Sequence, residues 1–463
     1  MPSGGQSPVI RRDLTAVGRT TLSIGARVAL EDGLLSGGAL DFGCGRGGDV
    51  DRLSMGGARI VGWDPHFRPE TPLVVTDAVL LTYVLNTIES ISERRQTASS
   101  AWDLVGRQLI ATVRLTSDRS RVHGDDFADG VVSQRRTFQH LFMMPELIGL
   151  LHDLTGRRPV AARPGVVYVF RNDTDRLAHL ARRYGSEIAS LPNLEAAVHF
   201  MESRGRVPSN EDGFAGSAAS MAVIKRAADP AAVSRGALKT TKDVLLFLAL
   251  SRFQGRPQLS ELPLPLRLDI SVHLGSYKHA CARADRLLRQ LADRSTLRQV
   301  MRVSVGKGTA SAHYIHRRAL GQAPVLLRLY EECAAIASGR PEDWELVKLH
   351  HDRAMVSWLH YPDFDRDPHP QLARAYRVDL RSLGADFEDY FLRDNPPVLH
   401  RKDEFLAPDD ARHATYARLT RQELRAGLYG HPEIIGTKQG WESELARCGK
   451  RLSGHRLVSA PSP

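Results

Sequence analysis

One short segment constrains the fold of this chain more than any other feature. It is ALDFGCGRGGDV at residues 39–50, in which several glycines follow an apolar stretch. The apolar residues lead to Asp41, and glycines follow at positions 43, 45, 47 and 48. Glycine allows a sharp turn and a close approach of the backbone to a ligand. A strand, a glycine-rich turn and a helix in this order predict the ligand-binding βα unit of a Rossmann-like sheet. A glycine-rich turn without a ligand is the alternative.

The surrounding segments predict an α/β domain over residues 1–172. Strand patterns alternate with helical patterns, which favours a doubly wound parallel sheet covered by helices. The predicted strands are GALDFGC, ARIVGWDP, DAVLLTYVLN, RQLIATVRL, RPVAARP and GVVYVFRN.

The chain changes character after residue 172. Amphipathic helical patterns cover 173–189, 193–205, 243–253 and 277–293, and short apolar runs mixed with Pro, Asp and His follow from about residue 340. We predict a first domain at 1–172, a helical region at 173–260 and an α+β region at 261–463. The predicted fold class is therefore a Rossmann-like sheet with a larger, mainly helical and then α+β, C-terminal region.

Composition narrows the class of protein. Hydrophobic residues make up 42% of the chain and charged residues 25%, which is typical of a folded globular protein. No apolar run approaches the roughly 18 residues that span a bilayer, and the N-terminus lacks the apolar core of an export signal. The four cysteines include no CxxC pair, which excludes a thiolate zinc site and a disulfide framework and favours the cytoplasm. The net charge of +10 hints at a polyanionic partner.

The glycine loop could bind the phosphates of a nucleotide, NAD or S-adenosylmethionine. The charges of the last two ligands distinguish them. A P-loop is excluded because no Lys-Ser/Thr pair follows. NAD would bring a pyrophosphate to the helix start, where the carboxylate of Asp41 would repel it. S-adenosylmethionine carries a sulfonium and an ammonium, which that carboxylate favours. We therefore predict that Asp41, Gly43, Gly45 and Gly47 bind S-adenosylmethionine; NAD-dependent redox chemistry is a minor alternative.

Two further segments extend the predicted pocket. Asp64 lies 21 residues after the first glycine, near the spacing of about 20 expected of a ribose-binding carboxylate, with an Asp-Pro turn as the alternative. At the end of the third strand, Thr82 is predicted to contact the cofactor, whereas Tyr83 and Asn86 are the candidate catalytic residues that orient the acceptor. Ordinary packing of the strand-to-helix turn is the alternative, and no general base stands out.

A basic segment could contact nucleic acid. Residues 273–318 hold ten Lys or Arg and two Asp. On the helix predicted at 276–292, Lys278, Arg286 and Arg289 lie opposite the apolar stripe, where they could neutralise phosphates. A solvated helix face is the alternative.

Two other motifs carry a weaker chemical signal. DNPPV at 394–398 resembles the NPPY/F motif of DNA amino-methyltransferases, but Val398 cannot stack on a flipped base, so a turn is predicted. The His- and Asp-rich segment 349–370 fits no metal-ligand spacing, and we predict no metal site.

Together, ALDFGCGRGGDV, GWDP and LLTYVLNTIES resemble the core of class I S-adenosylmethionine-dependent methyltransferases. More narrowly, the chain resembles the methyltransferase-like proteins associated with DNA phosphorothioation. That likeness extends to the C-terminus through VALEDGLL, PGVVYVFRN, FLALSRFQGRP, LGSYKHACARADRLL, HYPDFDRDPHP, DNPPVLHRKDEFLAP and YARLTRQELRAGLY.

The resemblance implies a methyltransferase, with phosphorothioate-modified DNA or DNA-modification proteins as partners. It supplies no acceptor atom, and VGKGTASAHYIHRRAL at 305–320 departs from the family pattern, so no role is assigned there. The alternative is a non-catalytic factor of the phosphorothioation system that senses S-adenosylmethionine or binds DNA.

Overall fold

The computed structural model describes residues 10–16, 18, 20–182, 193–214 and 216–460. The chain divides into two compact units. The first unit comprises Met1–Arg171, Val305–Gln322 and Cys333–Pro463, and the second comprises Asn172–Ser304 and Ala323–Glu332.

The N-terminal part of the first unit alternates helices and strands. In chain order its elements are α1 (Ile24–Glu31), β1 (Gly38–Phe42), α2 (Gly48–Met55), β2 (Arg59–Trp63), β3 (Thr76–Thr82), α3 (Ile91–Asp103), β4 (Val105–Thr112), β5 (Asp125–Phe127), β6 (Gly130–Val132), β7 (Phe138–Gln139), α4 (Met144–Thr155), β8 (Val160–Arg163) and β9 (Val166–Phe170).

The central sheet of this part has six strands in the order β2-β1-β3-β4-β9-β8. Strands β1 to β4 are parallel, whereas β9 runs antiparallel to both of its neighbours. This sheet confirms the predicted Rossmann-like α/β core. The strand order reverses between β1 and β3, and ligands of such sheets bind beyond the carboxyl ends of the strands at that reversal.

The residues of the central strands account for their burial on both faces. From Ala78 to Leu81, β3 is an apolar run with at most 1% exposure, and β4 is buried from Gln108 to Thr112. Such continuous apolar runs are typical of parallel strands covered by helices. Ser90 caps α3 by accepting a hydrogen bond from the Glu93 backbone, which fixes where the chain leaves the sheet.

The second unit is helical. Its helices up to Ser304 are α5 (Asp173–Arg182), α6 (Leu194–Arg204), α7 (Ala218–Ala227), α8 (Pro230–Leu250), α9 (Leu264–Leu274), α10 (Tyr277–Ala292) and α11 (Arg294–Arg302). The predicted boundary at 260 falls inside this unit, because α8 packs against both α9 and α10. The three predicted domains therefore do not coincide with the two compact units. Part of the helix predicted at 173–189 lies outside the described residues.

The remaining segments contain a second six-stranded sheet. In chain order they hold β10 (Lys307–Gly308), β11 (Ala312–His316), α12 (Val325–Ser338), β12 (Leu346–His350), β13 (Met355–His360), β14 (Arg374–Asp379), β15 (Ala385–Asp389), α13 (His413–Arg425), α14 (Lys438–Arg447), β16 (Lys450–Leu452) and β17 (Leu457–Ser459). Strands β10 to β15 pair antiparallel in chain order, so part of the predicted α+β region is a regular antiparallel meander. The segment 305–320, to which no role was assigned, supplies its first two strands.

Candidate functional site

The glycine loop joins β1 to α2 through a backbone that favours glycine. Gly43, Gly45 and Gly47 have φ values of +83°, +54° and +81°, in the left-handed region. A Cβ atom on Gly43 would lie 2.5 Å from a methyl group of Val84. The amides of Gly43 and Cys44 both donate to the carbonyl of Trp63, which ties the loop to the end of β2.

Carboxylates surround this loop. Asp41 is 3% exposed at the end of β1, and Asp49, in the first turn of α2, accepts a hydrogen bond from the Ser23 amide at 2.9 Å. Burial raises the pKa of the Cys44 thiol to about 12, and the neighbouring Asp41 carboxylate contributes to that rise. Two buried carboxylates therefore lie beside this loop, together with the guanidinium of Arg68, which donates to a loop carbonyl.

Asp64 fastens the end of β2 to the glycine loop. One of its carboxylate oxygens accepts from the Gly45 amide at 2.9 Å, and the other accepts from the His66 and Phe67 amides at 2.9 and 3.0 Å. The carboxylate thus makes the turn that we gave as the alternative, and it also lines the cavity described below. Ribose binding by Asp64 stays a prediction.

The end of β3 places two of the predicted residues at the same cavity. Thr82 lines it, and within the described residues its hydroxyl is buried without a hydrogen-bond partner. Tyr83 has a φ of +59°, an uncommon value for a residue with a side chain, and its amide donates to the carbonyl of Thr112 at 2.7 Å. This backbone strain ends the strand at Thr82, four residues before the predicted end, and sets Tyr83 beside the cavity.

Asn86 does not line the cavity, which corrects its predicted role. The residue is 0% exposed, and its amide nitrogen donates to the carbonyls of Arg114 and His140. Its side-chain oxygen accepts from the Arg114 amide at 2.9 Å. The side chain is used to hold the chain after β4, so it cannot orient an acceptor directly.

A cavity of about 900 Å³ joins these elements. Its walls are the glycine loop, the ends of β1, β2 and β3, one face of α3, and the N-terminal segment around Arg12. Arg12 pairs with Glu89 at 2.9 Å and with Glu93, so the N-terminal segment is attached to the start of α3. These two carboxylates raise the pKa of the Arg12 guanidinium. Sequence reasoning missed this wall because the ion pairs join residues about 80 positions apart.

The predicted nucleic-acid residues lie in the helical unit. Lys278, Arg286 and Arg289 are all exposed on α10, whereas Ala280 and Ala284 face the interior of that unit. None of the three cations has an ion pair within the described part of the chain. Nucleic-acid binding there stays a prediction.

Two other segments singled out in the sequence can also be located in the structure. Among the described residues, no group of three or more His, Cys, Asp or Glu side chains is placed to hold a metal. In the 349–370 segment, His369 is buried against Glu423 at 2.6 Å. Val398 pairs with Gln371 in an isolated antiparallel bridge.

Two further properties concern the whole described chain. All four cysteines lie in its described part, and none forms a disulfide. Across the described residues, no helix combines the length and apolar character that crossing a bilayer requires.

Comparison with known proteins finds no matching family model and no matching curated sequence. Solved structures do match. The 1,6-didemethyltoxoflavin-N1-methyltransferase of Burkholderia thailandensis, with bound 1,6-didemethyltoxoflavin and S-adenosylhomocysteine, is 16% identical over 32% of this chain and 76% of its own, with a TM-score of 0.24. The magnesium protoporphyrin IX methyltransferase of Synechocystis PCC 6803, with bound S-adenosylhomocysteine, is 18% identical over 35% and 93%, with a TM-score of 0.24.

A third match, an O-methyltransferase family protein of Burkholderia thailandensis, is 14% identical over 31% of this chain and 54% of its own, with a TM-score of 0.22. The matched structures are thus methyltransferases, two of them holding S-adenosylhomocysteine. At these values the likeness carries no argument about the substrate or the functional residues of this chain.

Proposed function

We propose that this protein is an S-adenosylmethionine-dependent methyltransferase whose cofactor binds in the cavity at the ends of β1, β2 and β3. The observation that carries the proposal is the buried carboxylate of Asp41 beside a glycine loop at the reversal of strand order. Two like charges about 4 Å apart at an effective dielectric of about 20 repel by roughly 4 kcal/mol. A pyrophosphate is therefore disfavoured over this loop, and a cationic ligand is favoured.

The residues present fit this cofactor. A Cβ on Gly43 would meet Val84, so glycine is required at that turn of the loop, and the buried hydroxyl of Thr82 offers a hydrogen bond to a ligand. Asp41 would attract the ammonium and sulfonium groups, and Asp64 would accept hydrogen bonds from ribose hydroxyls. When bound, S-adenosylmethionine supplies an electrophilic methyl group. The chain contributes by excluding water and by holding the acceptor nucleophile in line near Tyr83.

Calorimetry with S-adenosylmethionine, S-adenosylhomocysteine and NAD tests the cofactor. We expect the first two to bind and NAD not to bind. Asp41→Asn should weaken S-adenosylmethionine binding by about tenfold or more, since it removes a buried charge-assisted contact. Asp153→Asn, which changes an exposed carboxylate on α4, is the matched control and should bind normally. Binding of NAD, or equal affinity in Asp41→Asn and Asp153→Asn, would refute the proposal.

The acceptor proposal is finer and rests on the family resemblance and on the basic face of α10. We propose that the acceptor belongs to the DNA phosphorothioation system, with DNA itself as the first candidate. Labelled S-adenosylmethionine would be incubated with phosphorothioate DNA, unmodified DNA, RNA and protein fractions. Label in phosphorothioate DNA alone supports the association, whereas label only in RNA or protein contradicts it.

A non-catalytic role is the second candidate, and the position of Asn86 favours it. Of the two predicted catalytic residues, only Tyr83 lines the cavity. A protein that senses S-adenosylmethionine or binds DNA for the modification system needs the cavity but not a positioned acceptor. Tight cofactor binding without label in any fraction, at enzyme concentrations equal to those of the acceptor, would support this role over catalysis.

A further inference from the structure

A second cavity, of about 570 Å³, lies within the first compact unit. Its walls are the segment after β4, the turn between β8 and β9, residues 341–343, and strands β13 to β15 of the meander. Tyr83 and Arg114 line both this cavity and the cofactor cavity. The two cavities therefore meet at these two side chains.

Arg114 combines a fixed backbone with an uncommitted side chain. The Asn86 side chain forms hydrogen bonds with both the backbone amide and the backbone carbonyl of Arg114. The Phe142 amide donates to the same carbonyl at 3.0 Å. The guanidinium is exposed, and within the described residues it makes no hydrogen bond or ion pair. A buried side chain thus holds the main chain of an arginine whose charge remains available to a ligand.

Two other guanidiniums of the second cavity retain unused donors. The Nε atoms of Arg163 and Arg374 are buried without a hydrogen bond within the described chain, although carboxylates of Glu342 and Asp389 lie 4.0 and 3.9 Å away. The Glu342 carboxylate is already engaged by both terminal nitrogens of Arg27 at 2.6 Å.

The lining also holds Arg121, which pairs with Asp118 and Asp389 at 3.8 and 3.5 Å, and the exposed Asp343. The lining therefore holds four arginines and three carboxylates, those of Asp118, Glu342 and Asp343, and the Asp389 carboxylate outside the lining pairs with two of the arginines.

Aromatic side chains complete the wall opposite the cofactor cavity. Trp358 and Tyr376 stack with their ring centroids 6.0 Å apart, and Arg121 lies over the ring of Phe387 at 5.4 Å. A small number of polar groups on an apolar wall is typical of a small-molecule site. Guanidinium groups bind phosphate and carboxylate with good geometry.

We propose that the second cavity is the acceptor site and that Arg114 binds an anionic group, phosphate or carboxylate, of the acceptor. The nucleophile of the acceptor would then point past Tyr83 into the cofactor cavity. In the transfer, a lone pair of the acceptor forms the new bond to the methyl carbon, the carbon–sulfur bond breaks onto sulfur, and any proton on the acceptor leaves to water. This inference rests on the proposed function and narrows it to anionic acceptors.

Ligand binding in the presence of saturating S-adenosylhomocysteine tests the inference. The probes are two matched pairs, AMP with adenosine and benzoate with benzamide, together with a short single-stranded oligodeoxynucleotide. We expect at least one anion to bind about tenfold or more tightly than its neutral partner, in keeping with a charge-assisted hydrogen bond. Preference for AMP or for the oligodeoxynucleotide identifies a free or a polymer-borne phosphate, and preference for benzoate identifies a carboxylate.

Substitutions test whether Arg114 causes the preference for anions over neutral partners. Arg114→Ala should abolish it and Arg114→Lys should keep part of it, whereas Arg157→Ala, which removes an exposed arginine lining neither cavity, should leave it unchanged. Because Arg114 is exposed, these variants should fold, which melting curves check. Binding of no anion, equal binding of anions and neutral partners, or an unchanged preference in Arg114→Ala would overturn the inference. S-adenosylhomocysteine binding is measured first by itself, so its failure counts against the proposed function separately.

Discussion

Replacing Asn86 by alanine should destabilise the first unit more than its size suggests. The side chain makes three hydrogen bonds, and all three go to backbone atoms. After truncation, the Arg114 carbonyl still accepts from Phe142, but the Arg114 amide and the His140 carbonyl lose the side-chain partner. An unsatisfied buried polar group costs about 1–3 kcal/mol, so the two together predict a loss of about 2–6 kcal/mol.

Urea unfolding followed by tryptophan fluorescence measures this loss, with Thr87→Ala as the control. Thr87 belongs to the same short turn, and its hydroxyl makes one hydrogen bond, to the Val84 carbonyl at 2.9 Å. That bond should contribute about 1 kcal/mol. Equal losses for Asn86→Ala and Thr87→Ala would refute the argument that Asn86 holds the chain after β4.

Three other predictions follow from the site and its surroundings. Gly43→Ala should lower both cofactor affinity and stability. Gly57→Ala, at a φ of +88° with open space around it, is the control for the cost of a left-handed backbone alone. Equal effects of the two substitutions in calorimetry and melting would contradict the argument that a Cβ on Gly43 clashes with Val84. Cys44 should alkylate far more slowly than free cysteine at pH 8, because its pKa of about 12 leaves little thiolate, and Asp41→Asn should speed the reaction; mass spectrometry of the labelled peptide decides. Burial lowers the pKa of Lys402 to about 7, so the folded state binds fewer protons than the unfolded state between pH 7 and the ordinary lysine pKa of 10.5. The free energy of unfolding of the native protein minus that of Lys402→Met should therefore rise with pH across that window. Urea unfolding measures this difference, and a flat or falling difference would contradict the prediction.

The sequence alone predicts those parts of the site that lie within short continuous segments of the chain. The glycine loop and the residues at the tip of β3 lie within short segments, and their order along the chain fixes their place at the edge of a parallel sheet. Asp41, Asp64 and Thr82 could therefore be assigned to one cavity from spacing and pattern.

The parts that sequence could not predict depend on contacts between distant positions. Asn86 bonds to residues 28 and 54 positions later, so nothing near it in the sequence distinguishes a backbone clamp from an acceptor-binding amide. Arg114 lies near the end of the predicted strand RQLIATVRL and two residues after the observed end of β4, so its local pattern is that of any strand end. The pairing of the meander could not be predicted, because its strands of two to six residues are interrupted by Pro- and Asp-rich turns.

The order of synthesis matters for the first unit, because residues 172–304 separate its first segment from its two later segments. At about 5–20 residues per second, the first sheet would leave the ribosome tens of seconds before the strands that complete its unit. Nascent chains should therefore expose an apolar surface for chaperones during that interval. Expression of the N-terminal third alone would omit the later segments of the same compact unit and should leave the surfaces that they cover exposed.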